Sequence, residues 1–268
     1  MCSDLAPLSA ADIDGACRLS EEAGWNQTGE DWNVFIQHGS TFGLRRSGTL
    51  VATAAALPYG SGFGFIAMVL VTQADRHRGL ATQLVNACVN LLCAHGLKPV
   101  LDATEAGRPV YRKLGFTDAF MLQRWKGTAT GTAVPLALPT VDELAPIDAV
   151  GFGAERRFLL KSFLSRTGCQ AIRAGNGFAL ARPGRHAMHI GPVVADSETQ
   201  AILLVQALLD RLVGPVIIDI QSSWTSLATF LRQRGFHPQR SFMRMALDCV
   251  KPFGDPSRLF AAAGPEFG

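Results

Sequence analysis

The sequence predicts an α/β fold of the α+β type, arranged as two tandem domains that follow the same plan. Hydrophobic residues alternate between helical and extended spacing along the chain, which is typical of a mixed protein. The order of predicted helices and strands in residues 1–129 returns in residues 130–268, which indicates an internal duplication. A small, polar stretch at residues 127–133 is typical of a linker between them. We therefore expect one domain over residues 1–129 and another over residues 130–268.

The first half is predicted to begin with two helices and to continue with a run of strands. Ser9 is an N-cap candidate for the first helix, and Gly24 and Gly96 are stop signals for the first and third helices. The predicted elements are helices over residues 9–24 and around 32–36, strands over 41–44, 49–57 and 64–71, a helix over 80–95, a strand over 99–103, a short helix over 107–114 and a strand over 117–125.

The second half repeats this order, and residues 231–236 mirror residues 111–116. The predicted elements are helices over residues 141–150 and 157–165, strands over 171–173, 177–182 and 188–194, a helix over 199–212, a strand over 216–220, a short helix over 227–235 and a strand over 241–247.

Length and charge exclude several classes of protein. The chain of 268 residues suits two domains of modest size. Its net charge of +3 is too small to indicate nucleic-acid binding. No apolar run approaches the roughly 18 to 20 residues that span a bilayer, and the start lacks the pattern of a secretory signal. We expect a cytoplasmic monomer or homodimer that binds neither nucleic acid nor membrane.

The cysteines and histidines do not indicate a metal site. The cysteines lack the paired spacing of metal ligands, and we expect reduced, mostly buried thiols. His186 and His189 have neither the spacing of a helical metal pair nor companion cysteines. We therefore predict no metal. The six cysteines are Cys2, Cys17, Cys88, Cys93, Cys169 and Cys249.

Residues 68–82 are the most informative part of the sequence. An apolar strand ends there in a short basic turn, and a helix begins directly after it. The first turn of a helix has unpaired backbone N–H groups, and its dipole also favours an anion. Arg76 and Arg78 add positive charge, and Gly79 has no side chain that would keep an anion away from the backbone. The pattern Arg-x-x-Gly-x-Ala predicts a pyrophosphate site unlike the nucleotide-triphosphate loop or the dinucleotide fingerprint.

A second motif follows in the predicted short helix, where Tyr111, Lys113, Gly115 and Phe116 form the pattern Tyr-x-Lys-x-Gly-Phe. The two motifs, in this order and spacing, resemble those of the GNAT superfamily of acetyl-CoA-dependent N-acyltransferases. The resemblance implies, in each domain, a mixed, mostly antiparallel central sheet flanked by helices. It also implies acetyl-CoA as the acyl donor substrate and an amine as the acceptor.

The resemblance also implies roles for individual residues. In the superfamily the central sheet opens at the strand before the basic turn, and free N–H groups there hold the pantetheine arm and the thioester carbonyl. By position these residues are Val69, Leu70 and Val71. The residues placed at the pyrophosphate are Arg76, His77, Arg78, Gly79, Leu80, Ala81 and Thr82.

Tyr111 matches the residue that donates a proton or a hydrogen bond to the coenzyme A sulfur in many relatives. A phenol has an unperturbed pKa of about 10, close to that expected of the leaving thiol, so proton transfer between them is roughly balanced. Plain packing is the alternative role for Tyr111, and an exposed turn position is the alternative for His77.

The sequence does not identify the base that takes the proton from the amine. Many relatives have a glutamate on the strand before the basic turn, but residues 65–71 contain no carboxylate. Asp31, Asp102 and Glu105 are candidates that could act through water, and each has a surface or capping role as the alternative. A water path from a partly deprotonated amine would also serve.

The segment between the first two helices is the expected acceptor site, because relatives shape their acceptor pocket there. Trp25, Asn26, Asp31 and Trp32 provide groups suited to an amine or an amino acid. A structural tryptophan cluster explains the same residues equally well.

The second half lacks the chemistry of the first. Asp196 and Glu198 stand where the first half has its basic turn, and carboxylates there would repel a pyrophosphate. Phe230 or Leu231 stands at the position of Tyr111, and neither can give up a proton. We therefore expect that the second half has lost coenzyme binding.

This asymmetry resembles a bacterial tandem-GNAT family with a degenerate, YitH-like C-terminal domain. Residues 151–157 and 264–266 carry this part of the resemblance. Arg156 and Arg157 in the first of these segments could bind a substrate carboxylate or lie on a solvated helix face.

The sequence thus predicts an N-acetyltransferase that moves an acetyl group from acetyl-CoA to a primary amine by direct attack in a ternary complex. A non-catalytic acyl-CoA-binding sensor is the main alternative. The missing strand carboxylate favours the sensor, and Tyr111 argues against it. The basic turn argues against a scaffold that binds no coenzyme.

Overall fold

The computed structural model describes residues 5–134, 137–249 and 253–268. Its contacts divide the chain into two compact units, Met1–Leu101 and Asp102–Gly268. This division precedes residue 129, because the strand over Phe116–Thr130 makes its ladders inside the second unit. The domain boundary at residues 129 and 130 stays a prediction.

The first unit has the predicted order of helices and strands, with a short strand added at its start. Its sheet has the order β1-β2-β3-β4-β5, with β4 and β5 parallel and the other neighbours antiparallel. The elements are β1 (Leu5–Pro7), α1 (Ile13–Glu22), α2 (Gly29–His38), β2 (Ser40–Arg46), β3 (Thr49–Tyr59), β4 (Phe63–Val71), α3 (Leu80–Ala94) and β5 (Lys98–Thr104), which continues into the second unit.

Side-chain caps define the starts of the first two helices. The Ser9 backbone N–H donates to Asp12 Oδ2 at 2.8 Å, where a 3-10 turn leads into α1. The Thr28 N–H donates to Asp31 Oδ2 at the same distance before α2. Each pair forms a capping box, so the polar residues that begin these helices are used for folding.

The second unit repeats the plan around a sheet of order β11-β6-β10-β12-β9-β8-β7. The pairs β6 with β10, β6 with β11, and β7 with β8 are antiparallel, whereas β9 and β10 are parallel. The predicted mixed, mostly antiparallel sheets flanked by helices are confirmed. The elements are α4 (Arg108–Lys113), β6 (Phe116–Thr130), α5 (Val141–Phe152), α6 (Arg157–Leu164), β7 (Gln170–Ala174), β8 (Gly177–Arg182), β9 (Met188–Val194), α7 (Glu198–Leu209), β10 (Val213–Gln221), α8 (Thr225–Gln233), β11 (His237–Leu247) and β12 (Leu259–Ala261).

The interpretation of residues 127–133 as a linker is wrong for their first part, which belongs to β6. Residues 127–130 pair with residues 213–216 of β10. The small side chains have a packing reason, since a Cβ on Gly127 would lie 2.5 Å from the Phe236 ring. Composition alone does not distinguish a flexible linker from a strand that needs small residues.

The cysteines are less buried than predicted. The five described ones form no disulfide with each other, and two of them, Cys88 and Cys169, are buried. Burial raises the pKa of each of these two thiols to about 12. Cys93 is exposed, and Cys2 lies outside the described residues.

Within the described residues, no helix combines the length and the apolar character needed to cross a bilayer.

Two glycines with nearly the same φ angle provide a test of close packing in the second unit. Gly153 and Gly214 have φ of +95° and +96°. A Cβ on Gly153 would lie 2.1 Å from the Gly254 nitrogen, whereas a Cβ on Gly214 would have no atom within 4 Å. Gly214→Ala adds only backbone strain, so we expect it to lower the free energy of unfolding by about 1–2 kcal/mol. Gly153→Ala should lower it by at least about 3 kcal/mol, because backbone must move.

Urea denaturation of both variants and the wild type measures the difference. Equal losses for the two variants would contradict the close approach of residues 153 and 254.

Candidate active site

A bulge interrupts β4 near its centre. Thr53 of β3 lies opposite Leu70 and Ala55 opposite Ala67, so two residues of β4 face one residue of β3. Met68 in this bulge has φ of +54°, a conformation that costs energy for any residue but glycine. The buried Thr53 hydroxyl donates to the Met68 carbonyl at 2.9 Å. This hydrogen bond holds the strained peptide in place.

The ladder between β4 and β5 ends before the bulge. It consists of three pairs, Phe63 to Phe65 with Lys98 to Val100. In the described ladders, residues 66–71 of β4 pair only with β3. Val69 and Val71 are partly exposed, while Leu70 between them is buried. The edge of β4 predicted to bind the coenzyme is therefore an open strand edge with polar backbone groups to satisfy.

The basic turn after β4 leads into α3 without a side-chain cap. His77 and Gly79 have φ of +63° and +79°, and Gly79 occupies the N-cap position. Gln83 is the first residue whose amide donates into the helix, to the Gly79 carbonyl at 3.0 Å. The backbone N–H groups of residues 78–82 have no backbone acceptor in the described structure. These amides and the helix dipole are suited to bind an anion.

A buried carboxylate that the sequence analysis missed organises the arginines of this turn. The Asp75 side chain is 3% exposed, lies 3.2 Å from Arg78 Nη1 and accepts from Arg46 Nη1 at 2.6 Å. The Arg78 side chain is still 60% exposed. Arg76 Nε donates to the Val71 carbonyl at 3.2 Å. The guanidinium groups are thus partly engaged by the protein, and the exposed part of Arg78 is open to an anion.

The start of the turn is tied to α1. Glu22 accepts from the Thr72 hydroxyl at 2.8 Å and from the Gln73 backbone N–H at 2.5 Å. The backbone donor is the main reason that the pKa of the Glu22 carboxyl lies below its ordinary value. These contacts fix where β4 ends and the turn begins.

Tyr111 lies on α4 in the second unit. Its ring packs edge-on against Phe116, with centroids 6.1 Å apart. Its backbone N–H donates to the Gly107 carbonyl at 3.2 Å, and the Gly107 N–H donates to Thr104 Oγ1 at 3.2 Å. A Cβ on Gly107 would lie 3.0 Å from the Tyr111 ring. The end of β5 and Tyr111 therefore share one tight turn.

Asp118 joins α4 to β6. It accepts from Arg108 Nε at 3.0 Å and also pairs with Arg112. The hydrogen bond from Arg108 is the first of the causes that lower the pKa of Asp118 to about 2.

The three candidate bases have different environments in the structure. The Asp102 side chain is 0% exposed and accepts two hydrogen bonds from Arg244, at 2.8 and 2.7 Å. Burial raises the pKa of this carboxyl, and Arg244 opposes the rise. Asp31 is the capping carboxylate of α2. Glu105 alone of the three is exposed, and it lines a cleft.

The expected acceptor residues divide into buried and accessible groups. Trp32 is 0% exposed, and its indole N–H donates to Ser20 Oγ at 3.0 Å. We therefore assign Trp32 to the core and Asp31 to the cap. Asn26 is buried and Trp25 is partly exposed. Contact of these two residues with an acceptor stays a prediction.

A cleft of about 740 Å³ lies in the second unit at the end of β5. The residues that line it come from the β5–α4 turn, from β6 and from the start of β11, and they include Thr104, Glu105, Gln123, Arg240 and Ser241. Of these residues only Glu105 is a candidate from the sequence, because the strand that supplies Arg240 comes more than a hundred residues later in the chain.

In the second half, the position that corresponds to the open edge of β4 is filled by the chain itself. The parallel ladder of β9 and β10 also has three pairs, Met188 to Ile190 with Val216 to Ile218. Beyond them β12 pairs antiparallel with both strands. The Ala262 N–H donates to the Asp219 carbonyl at 2.9 Å. The strand β12, absent from the predicted elements, occupies this gap.

The start of the helix after this gap also has hydrogen-bond partners within the protein. Ser197 caps α7 by accepting from the Gln200 N–H at 3.2 Å, whereas α3 has no side-chain cap. Glu198 accepts from the Leu227 N–H at 2.8 Å, and Asp196 pairs with Arg258. The two carboxylates expected to repel a pyrophosphate thus have structural partners.

Buried ion pairs hold the core of the second unit. Asp219 accepts from Arg124 Nε and Nη2, both at 2.7 Å, and His189 Nε2 lies 3.1 Å from its Oδ2. Glu266 accepts from Arg182 at 2.7 Å. Burial is the main reason that the pKa of His189 is lowered to about 4, so His189 is neutral at pH 7.

Arg156 and Arg157 have different environments. Arg156 is buried, donates to Asp148 at 2.7 and 2.9 Å and to the backbone oxygens of Phe267 and Gly268 at 3.1 and 2.7 Å. Arg156 is therefore part of the core, and neither of the two environments expected for it, a substrate carboxylate or a solvated helix face, is the one observed. Arg157 is 44% exposed and pairs with surface carboxylates, as expected of a helix face.

Among the described residues, no group of three or more His, Cys, Asp and Glu side chains could hold a metal ion.

Both halves match models of one protein superfamily. Residues 144–261 match the model described as "Acetyltransferase (GNAT) domain", and residues 11–116 match "Acetyltransferase (GNAT) family". The chain is 29% identical over 250 residues to YitH of Bacillus subtilis (strain 168), which is named an uncharacterized N-acetyltransferase. That similarity covers 87% of this chain and 88% of the relative.

Solved structures share the fold. A Pyrococcus horikoshii protein named as an acetyltransferase superposes with a TM-score of 0.83 at 18% identity, over 99% of this chain and 95% of its own. A tandem GNAT protein from the clavulanic acid biosynthesis pathway has a TM-score of 0.58 at 14% identity, over 91% of this chain and 97% of its own.

The buried histidine gives the second unit a predicted acid sensitivity. The ordinary pKa of histidine is 6.5, and that of folded His189 is about 4. Below about pH 6.5 the unfolded chain binds a proton that folded His189 does not, so stability is complete above that pH and is lost as the pH falls towards 4. Between pH 7 and pH 5 we expect wild type to lose about 1–2 kcal/mol more than His189→Gln.

Urea denaturation at both pH values measures this difference. Identical losses in the two proteins would contradict the lowered pKa of His189.

Proposed function

Since this chain belongs to the GNAT acetyltransferases, with one such domain in each half, it is an acyltransferase, and we propose that it acetylates a primary amine. In this proposal the acetyl group comes from acetyl-CoA and is transferred by direct attack in a ternary complex. The observation that carries the proposal is the bulged, open edge of β4, followed by a helix whose first amides are free.

The open edge of β4 is suited to a thioester with an amide-bearing arm. Its backbone N–H and C=O groups need partners, and an extended pantetheine arm can provide them. We propose that the backbone of Val69 to Val71 binds the arm and the carbonyl oxygen on which negative charge develops during transfer. The hydrogen bond from Thr53 keeps these groups oriented before any ligand arrives.

The basic turn is suited to a pyrophosphate. Free amides at residues 78–82, the α3 dipole and the exposed part of Arg78 all favour an anion. Asp75 fixes Arg78 on one side, which limits the entropy that binding would cost, and also reduces its net attraction for a phosphate. We propose that residues 76–82 hold the pyrophosphate chiefly through backbone.

Acetyl-CoA supplies the activated acetyl group and the leaving thiol. The nitrogen lone pair of the amine forms the new C–N bond while the C–S bond breaks. We propose that Tyr111 gives its proton to the departing sulfur and that the nitrogen releases one proton to water. The phenol is restored by solvent, so protons balance over one turnover.

Of the three candidate carboxylates for the amine proton, only Glu105 is exposed. Asp102 is held by Arg244, and Asp31 is held by the start of α2. We therefore propose that Glu105 attracts the ammonium form of the acceptor and that water removes the extra proton of the ammonium before the attack, in addition to the proton that the nitrogen releases during transfer.

The second half has a supporting role in this proposal. Its gap between β9 and β10 is filled by β12, so we propose that residues 130–268 bind no coenzyme and stabilise the acceptor site. We further propose that the protein is cytoplasmic and acts as a monomer or homodimer, without nucleic acid or membrane.

A non-catalytic acyl-CoA sensor is the second candidate. The observation that favours it is the absence of a carboxylate from β4, together with the structural roles of Asp31 and Asp102.

Calorimetric titration with acetyl-CoA, followed by a free-thiol release assay against a panel of amines, distinguishes the two. One-site binding with thiol release supports the enzyme. Binding without release for every amine supports the sensor, and no binding would overturn both.

The role of the bulge can be tested at Thr53. Thr53→Val removes the hydroxyl that holds the Met68 carbonyl, and the strained peptide then loses its support. We expect the dissociation constant for acetyl-CoA to rise about tenfold, equivalent to about 1.4 kcal/mol. Thr41→Val is the matched control, since Thr41 is also buried and its hydroxyl lies 3.4 Å from the Leu8 carbonyl, outside β4. Equal calorimetric affinities for wild type and Thr53→Val would contradict this role.

The proton donor can be tested at Tyr111. We expect Tyr111→Phe to bind acetyl-CoA as wild type does and to lower kcat at least about tenfold, because only proton donation is lost. Tyr59→Phe is the control, since Tyr59 is the other tyrosine of the chain and is buried against Phe63 and Phe65. Unchanged turnover in Tyr111→Phe with a working acceptor would exclude Tyr111 from the chemistry.

A further inference from the structure

The cleft at the end of β5 is lined by two oppositely charged side chains, those of Glu105 and Arg240. In the part of the chain that the structure describes, neither Glu105 nor Arg240 takes part in an ion pair or in a side-chain hydrogen bond through its charged group. Both residues line the same cleft. Their charges are opposite, so the cleft has an anionic and a cationic position.

Arg240 is an exception among the arginines near it. Arg124, the residue opposite it on β6, pairs with Asp219 through two hydrogen bonds of 2.7 Å. Arg244, four residues further along β11, pairs with Asp102. These two buried carboxylates are therefore committed, and Arg240 is left half-buried beside the positive charge of Arg124.

Partial burial and the charge of Arg124 give Arg240 a demand for an anion. Burial is the first cause that lowers the pKa of the Arg240 guanidinium, and repulsion by Arg124 adds to it, while the carboxylate of Asp219 partly offsets both. A carboxylate that binds here would relieve both effects and would meet the planar donor pattern of the guanidinium.

The backbone around Arg240 is held rigidly. Gln123 Nε2 donates to the Arg240 carbonyl at 2.8 Å and to the Arg124 carbonyl at 3.2 Å. The ladder of β11 with β6 shifts by one residue between Pro238 and Arg240, which re-aims the strand at this point. Bulges of this kind are common beside binding sites.

Glu105 is held close to the proposed chemistry. It follows directly on Thr104, whose hydroxyl accepts from the Gly107 N–H, and Gly107 in turn accepts from the Tyr111 N–H. Glu105 and Tyr111 therefore belong to the same hydrogen-bonded turn, and a ligand with its ammonium group at Glu105 binds at that turn.

We propose that this cleft binds the acceptor and that the acceptor is an amino acid, with its carboxylate on Arg240 and its amino group towards Glu105. An amino acid has a carboxylate and an ammonium group bonded to the same carbon atom. This pair of charges matches a cleft with one cationic and one anionic side chain. The volume of about 740 Å³ lies within the range of small-molecule sites and leaves room for a side chain. This proposal rests on the proposed function, because it names the substrate class of the same reaction.

The test uses the full chain and matched acceptors. Wild type saturated with coenzyme A is titrated calorimetrically with each of the twenty amino acids. The tightest one is then compared in the thiol-release assay with its amide and with its decarboxylated amine. The same assays are repeated with Arg240→Gln, with Arg240→Lys, and with Arg173→Gln, a control whose exposed side chain lies on the edge strand β7.

We expect the wild type to prefer the amino acid over its amide and its amine by at least about tenfold in kcat/KM. Arg240→Gln should raise KM for the amino acid about tenfold or more and leave KM for the decarboxylated amine within about twofold, and Arg240→Lys should restore part of the preference. Arg173→Gln should behave as wild type. Acetyl-CoA affinity should be the same in all four proteins.

Other results overturn the inference in distinguishable ways. If no amino acid binds, or if Arg240→Gln affects the amino acid and the decarboxylated amine equally, the cleft does not recognise a carboxylate. Acetyl-CoA binding and transfer to uncharged amines would then leave the proposed function standing. Loss of acetyl-CoA binding in the wild type would overturn the proposed function itself, while calorimetric binding of an amino acid would still support the cleft.

Discussion

The constraint on which this structure depends is the demand of strand backbone for hydrogen-bond partners where two parallel strands separate. In each unit a pair of parallel strands is joined by three residue pairs and then diverges. Beyond that point each strand has a row of N–H and C=O groups that folding alone does not satisfy. Something must fill the gap, and the two halves of the chain meet this demand differently.

In the second half the chain fills its own gap. Strand β12 inserts between β9 and β10, and Ser197 caps the helix that follows. In the first half the edge of β4 stays open beside a bulge, and α3 begins without a side-chain cap. One plan therefore gives a half whose separating strands are paired by the chain itself and a half in which the edge of β4 stays open. The difference in function that we propose for the halves rests on hydrogen bonding more than on the loss of individual charges.

Buried ion pairs determine which charges remain available around the sites. Asp75 orders Arg46 and Arg78 beside the basic turn, and in the second unit Asp102 and Asp219 occupy Arg244 and Arg124. Such pairs gain little net stability because desolvation offsets their attraction, but breaking one leaves a costly buried charge. They therefore fix positions with high precision and leave specific groups free for ligands.

The order of elements, the duplication, the basic turn and the family follow from the sequence alone. Their signals are local: hydrophobic spacing, a glycine at the helix start, and Tyr111 followed by Gly115 and Phe116. Tertiary structure decided what depends on pairing between distant segments. It placed Trp32 in the core, gave Gly127 to a strand that packs on Phe236, inserted β12 into the second gap, and brought Arg240 to the cleft of Glu105. The physical reason is that the neighbours of a strand and the partner of a buried charge come from distant parts of the chain. The local sequence around these residues therefore does not indicate them.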